Sequence, residues 1–158
     1  RDRELRMETV RTVVGVGEAK ASEIVASFEL AKRYLLESEQ PIIDSPEKAV
    51  EQLADIRDKK QEYFVCLTLD GANRLIAKRV ISIGTLTSSL VHPREVFAEA
   101  ITDRAASIIV AHNHPSGTPE ASEADREVTV RLKEAGELLG IKLIDHIVVT
   151  KSSLVQII

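Results

Sequence analysis

The chain has 158 residues, enough for one full domain or one domain with a small appendage. Apolar residues make up 44% and charged residues 29%, a balance that supports a packed core and argues against a disordered chain. A net charge of −4 argues against a strongly basic nucleic-acid surface, and aromatics at 3% with no Trp leave the core to Val, Ile, Leu and Ala.

Residues 1–40 read as helical. Leu5, Thr9, Val10 and Val13 form one apolar face, Gly15-Val16-Gly17 interrupts it, and Ala19, Ile24, Val25, Phe28, Ala31 and Leu35 resume it at helical spacing. The pattern predicts a small helical hairpin. A segment with Pro41 and Pro46 and the turn formers Asp44 and Ser45 follows as a linker, and a second domain is expected over 45–158. Ser45-Pro46 is an N-cap followed by Pro at the first helical position, so a helix is expected over 46–58, carrying Ala49, Val50, Leu53, Ala54 and Ile56. Strands are expected over 63–69 and 74–83, joined by the turn Asp70-Gly71-Ala72-Asn73. Residues 84–92 are polar and less regular. A helix over 93–104 opens on Pro93, with Val96, Phe97, Ala100 and Ile101 apolar. A buried strand over 107–112, a long helix from Ser122 to Leu139 stopped by Gly140, a strand over 142–150 and a last one over 154–158 complete the chain. This order predicts an α/β fold, a mixed sheet with flanking helices.

Cys66 is the only cysteine. It rules out an intrachain disulfide framework and a Cys-rich zinc site, reads as a small buried apolar residue, and fits a reducing, cytoplasmic setting. No apolar run approaches the ~20 residues of a membrane span, so no membrane partner is expected. The start of the chain carries alternating charges rather than a signal peptide. It opens on Arg1 rather than Met, as a segment of a longer protein would. The sequence gives no oligomeric state.

The densest chemistry lies in His112-Asn113-His114-Pro115-Ser116-Gly117, followed by Ser122 and Asp125. Residues i and i+2 of a strand point to one side, so His112 and His114 aim together and Asn113 points away, where it can hold the loop. Ser122 can cap the next helix, which puts Asp125 in the first turn, facing back toward the histidines. Two imidazoles and a carboxylate suit zinc and leave a fourth position for water. The same Ser-x-x-Asp also reads as a capping-box variant with Asp125 favoured by the helix dipole, and the Pro-rich stretch also reads as a plain loop. His92 precedes Pro93 and is either a group beside the site or a helix cap. His146, in mid-strand, is expected to support the cluster or the core rather than to be a fourth ligand. Zinc deaminase chemistry is disfavoured, because the His-x-Glu and Pro-Cys-x-x-Cys elements are missing.

His112-x-His114-Pro115 with Ser122-x-x-Asp125 resembles the JAMM (MPN+) metalloprotease motif. The version His-Asn-His-Pro-Ser-Gly is most similar to the RadC family of bacterial proteins. Glu62-Tyr63-Phe64-Val65-Cys66-Leu67, Val91-His92-Pro93-Arg94-Glu95-Val96-Phe97 and Asp145-His146-Ile147-Val148-Val149 also resemble that family, and the likeness extends over residues 1–150. Glu120-Ala121 before Ser122 departs from the family pattern, which has Pro directly before the serine. The resemblance implies a JAB/MPN, cytidine-deaminase-like architecture and a cytoplasmic, bacterial zinc hydrolase that cleaves a peptide or isopeptide bond in a peptide or protein substrate. It implies His112, His114 and Asp125 as zinc ligands, Glu62 as general acid and base, and Ser122 as a donor to the oxyanion. On residues alone, Glu62 is one charge in the run Asp58-Lys59-Lys60-Gln61-Glu62, as a solvated end would carry.

Gly15-Val16-Gly17 resembles a helix-hairpin-helix turn, in which glycines let backbone N–H groups approach phosphate, with Lys20 as a further contact. Residues 1–40 hold seven Lys or Arg against eight Asp or Glu, so there is no basic field there and the turn also serves simply to join two helices. DNA binding through this segment, by a repair-related binding protein or a metal-dependent nuclease, is the alternative reading.

Overall fold

The computed structural model describes residues 12–13, 16–37, 40–84 and 91–158. The chain divides into two compact units, Arg1–Gln40 and Pro41–Ile158. In the first, helix α1 (Glu18–Glu37) follows Gly17. The helix expected before it, and Gly15, lie outside the described residues. Among the described residues, no helix is long and apolar enough to cross a membrane.

The second unit contains α2 (Pro46–Glu51), β1 (Tyr63–Leu69), β2 (Leu75–Ile83), α3 (Pro93–Thr102), β3 (Ser107–Asn113), α4 (Glu123–Leu139), β4 (Lys142–Val149) and β5 (Leu154–Gln156). The strands form one mixed sheet in the order β2-β1-β3-β4-β5. β1 runs antiparallel to both β2 and β3, β3 and β4 are parallel across α4, and β5 returns antiparallel. This is the expected α/β architecture with flanking helices.

Both faces of the central strands are covered, which is why β1, β3 and β4 read as nearly continuous apolar runs. Val65, Leu67, Leu69, Ile109, Ala111, Ile147 and Val149 pack on one side against Ile43, Val50, Leu53 and Ile56. Phe64, Cys66, Ile108, Val110 and Leu143 pack on the other against Val96, Phe97 and Ala100 of α3 and Val128 and Leu132 of α4. Cys66 is fully buried, and burial, then the charges of Asp103 and Glu99, push its thiol up to about 12.

Several boundaries differ from the sequence expectations. The helix expected over 46–58 ends at Glu51, and the chain goes on in three-residue turns: Leu53 N–H donates to Val50, Ile56 to Leu53 and Lys59 to Ile56. Val50, Leu53 and Ile56 stand at a strict three-residue spacing, which tighter i→i+3 turns bring to one side, and Ala54 is exposed as a result. The second strand begins at Leu75, with Arg74 in an isolated bridge to Ile42. α3 stops at Thr102 and leaves Ile101 exposed, and the last strand ends at Gln156.

α4 fixes the site from behind and is closely fitted. Gly140 ends it in the left-handed conformation at φ 71°. A Cβ on Gly136 would meet the Ile141 carbonyl oxygen at 2.5 Å and Phe97 Cζ at 3.2 Å. Gly136→Ala should therefore lower stability by about 1–3 kcal/mol through overpacking, read as an earlier denaturant midpoint. An unchanged midpoint would show that α4 can shift freely.

Candidate metal centre

β3 ends at Asn113, and its two alternating neighbours His112 and His114 project to one side as expected. Asn113 turns the other way. Its Oδ1 accepts from the Tyr63 N–H at 2.7 Å, and its Nδ2 donates to the Lys59 and Gln61 carbonyls. It thereby ties the end of β3 to the chain entering β1.

α4 supplies the carboxylate. Ser122 caps the helix, accepting from the Asp125 N–H at 3.2 Å, while Asp125 Oδ2 accepts from the Ser122 N–H at 2.7 Å and from its hydroxyl at 2.6 Å. The capping box is thus real, and it does not compete with a site. It occupies Oδ2 and leaves Oδ1 directed at His112 Nε2, 3.2 Å away. Burial works to raise the Asp125 carboxyl, but contact with His112 and the hydrogen bonds from Ser122 outweigh it and hold the carboxyl well below the usual carboxylate range.

The histidine tautomers follow from their outer contacts. His114 Nδ1 lies 2.7 Å from the Thr118 carbonyl, which can only accept, so Nδ1 carries the proton. Thr129 Oγ1 lies 2.6 Å from the Asp125 carbonyl and must donate to it, since two bare oxygens at that distance would repel. Its one proton is then used, so His146 Nδ1 donates to Thr129 at 2.6 Å. His146 Nε2 is left as an acceptor for His112 Nδ1–H at 3.0 Å. Burial, and then repulsion from His112, push His146 down to about 3 against the attraction of Asp125, so it stays neutral at pH 7. His146 is fully buried, next to His112.

The consequence is that both Nε2 lone pairs face inward, 3.0 Å apart, beside an ionised carboxylate. While both rings are neutral nothing in this triangle donates, and a cation, either a shared proton or a metal ion, satisfies it. His112 Nε2 lies 3.0 Å from His114 Nε2 and 3.2 Å from Asp125 Oδ1, close to the ~3.3 Å between donors on a tetrahedron with bonds of about 2.0 Å, and His114 Nε2 is 3.7 Å from the other carboxylate oxygen, Oδ2. His112, His114 and Asp125 form the one group among the described residues that could hold a metal ion in this way. Outer partners that fix each tautomer are typical of metal-ligating histidines.

The remaining sequence candidates divide. The β1–β3 register pairs Phe64 with His112. The ladder ends at that pair, so Glu62 lies just outside it, two residues before Phe64. Glu62 is half-buried, and it lines a cleft of about 540 Å³ with Gly84, Pro115 and Ser116 of the histidine loop. Ser122 is exposed at the cap, with its hydroxyl turned to Asp125. His92 caps α3, its Nδ1 accepting from the Arg94 N–H at 3.2 Å, so of its two readings the cap is the one observed. Gly17 and Lys20 are exposed at the start of α1, and Gly15 lies outside the described residues. Thr129 was missed by sequence reasoning. Its place one helical turn after Asp125, on the same helix face, was the available signal.

The sequence profile of the RadC-like JAB domain matches residues 43–157. A UPF0758 protein of Methanospirillum hungatei is 47% identical over 154 residues, covering 95% of this chain and 68% of that protein. A UPF0758 protein of Shouchella clausii is 47% identical over 149 residues, 92% of this chain and 65% of its own length. UPF0758 protein YsxA of Bacillus subtilis is 46% identical over 158 residues, 98% and 68%. The chain therefore spans about two thirds of the length of these relatives.

Proposed function

Because the chain belongs to the RadC-like JAB domain family, we propose that it is a zinc-dependent hydrolase that splits a peptide or isopeptide bond by attack of water. The observation that carries this reading is the convergence of the His112 and His114 Nε2 atoms and the Asp125 carboxylate in one largely buried group. His112, His114 and Asp125 would hold the zinc ion. Two nitrogens and one oxygen suit zinc and keep a position open, and the bound ion supplies a Lewis acid that lowers the pKa of its water to roughly 7.

Glu62 is the general base and acid in this reading. It takes a proton from the attacking water and hands it to the leaving nitrogen. Support comes from its place two residues before Phe64, the strand partner of His112, and from the cleft it shares with Pro115 and Ser116. Ser122 turns its hydroxyl from Asp125 to the developing oxyanion, a role that uses the exposure of the cap. The reading is tested by incubating zinc-loaded protein with a pool of synthetic peptides and isopeptides, with and without a chelator, and with an oligonucleotide alongside. Chelator-sensitive cleavage of amide bonds is expected. Cleavage of the oligonucleotide alone would replace the amide with a phosphodiester, and no cleavage of either would sink the hydrolase reading.

Thr129→Val tests the hydrogen-bond chain behind His112. The valine keeps the volume and removes the proton acceptor of His146, freeing both rings to take the wrong tautomer. Zinc affinity should fall on the order of 10–100-fold, measured by competition with a metal indicator. Unchanged affinity would mean that the His112 tautomer is set by something other than this chain.

A further inference from the structure

We propose that the pocket beside His114 receives an acidic side chain of the peptide substrate. This rests on the peptidase reading and names the substrate preference of the same site. The pocket, about 280 Å³, is walled by His114 and Pro115 on one side and by Arg57, Lys59, Lys60 and Lys151 on the other. Lys60 and Pro115 also line the Glu62 cleft, so the two hollows are adjoining parts of one groove.

The cations there are poorly neutralised. Arg57 donates to the Thr150 and Ser153 carbonyls, which are neutral. Lys59 Nζ lies over the Tyr63 ring, 5.7 Å from its centre. Lys151 meets Asp58 only at 3.9 Å, with both side chains largely exposed, a pairing worth little. Four positive charges against Asp58 thus gather at the edge of the candidate centre, in a chain whose net charge is −4. Such a local reversal of sign selects an anionic group on whatever enters.

A peptide carboxylate suits the pocket better than a nucleic acid. The volume holds one or two side chains, not a run of nucleotides. Glu62 lies in the adjoining part of the groove, where an extended run of phosphates would meet its charge. Among the described residues, no Phe, Tyr or Trp lines the pocket as a platform for base stacking.

The test is equilibrium binding of labelled probes to the zinc-loaded full chain. One probe is a dodecapeptide of Gly and Ala with two central glutamates, the second has glutamines in their place, and the third is an oligothymidylate. The glutamate peptide should bind about tenfold tighter than its glutamine twin at low salt. The preference should vanish in K59E/K60E/K151E, whose zinc content is unchanged. Equal binding of the twins, or a preference untouched by the charge reversal, would overturn the proposal. Tighter binding of the oligothymidylate, lost in the variant, would overturn it in favour of a phosphate site. Cleavage of the peptide pool reports separately on the hydrolase reading: cuts without acidic preference sink only the pocket, and preference without any cuts sinks only the hydrolase.

Discussion

Glu62→Gln is expected to bind zinc as the wild-type chain does and to turn over substrate on the order of 10²–10⁴-fold more slowly. Glutamine keeps the size and shape of the side chain but cannot accept and return a proton. Its backbone role survives, since the Glu62 carbonyl accepts from the Gly84 N–H at 2.9 Å whatever the side chain. The inward triangle is built from β3 and α4 and does not include residue 62. Metal analysis and single-substrate kinetics on the same preparation separate the two effects. Undiminished turnover would remove Glu62 from the chemistry, and loss of zinc would make it a ligand or a ligand's support.

The second large effect belongs to His112→Ala. His112 is fully buried, stacks near Phe64 at 6.1 Å, and touches His114, Asp125 and His146 at once. Its loss opens a cavity and leaves His146 Nε2 without its donor, together on the order of 2–4 kcal/mol. It also removes one of the three proposed ligands, so stabilisation by zinc should disappear. For the wild type that stabilisation is about 4 kcal/mol at free zinc a thousandfold above Kd, or a rise in Tm on the order of 10 °C. Thermal melts with and without zinc should diverge for the wild type and coincide for the variant. A variant still raised by zinc to the wild-type extent would place the metal elsewhere.

Much of this was legible in the residues. Nearly continuous apolar runs and helical spacing placed the sheet strands and α4, because burial on both sheet faces leaves a strong apolar signal in β1 and β3. The i, i+2 rule placed His112, Asn113 and His114 on their proper sides. The helix after Ser45 was read too long because Val50, Leu53 and Ile56 also satisfy a loose helical pattern, whereas their uniform spacing of three favours tighter turns. Thr129 and His146 could not be joined from sequence, since they meet only when α4 packs on β4. Nor could the basic pocket: Lys59 and Lys60 read as part of a solvated charge run until the fold brought Arg57, Lys151 and His114 beside them. Glu62 was reached through family resemblance, because only the fold brings it beside Pro115 and Ser116, far along the chain.

The central claim is that His112 and His114 Nε2 and Asp125 Oδ1 bind a metal ion. The zinc K-edge absorption spectrum of the reconstituted protein tests it most directly. It should show nitrogen and oxygen neighbours at about 2.0–2.1 Å, with the outer-shell pattern of two imidazoles and no sulfur. A sulfur neighbour near 2.3 Å, which would require the buried Cys66, or a spectrum of hydrated zinc alone would contradict it.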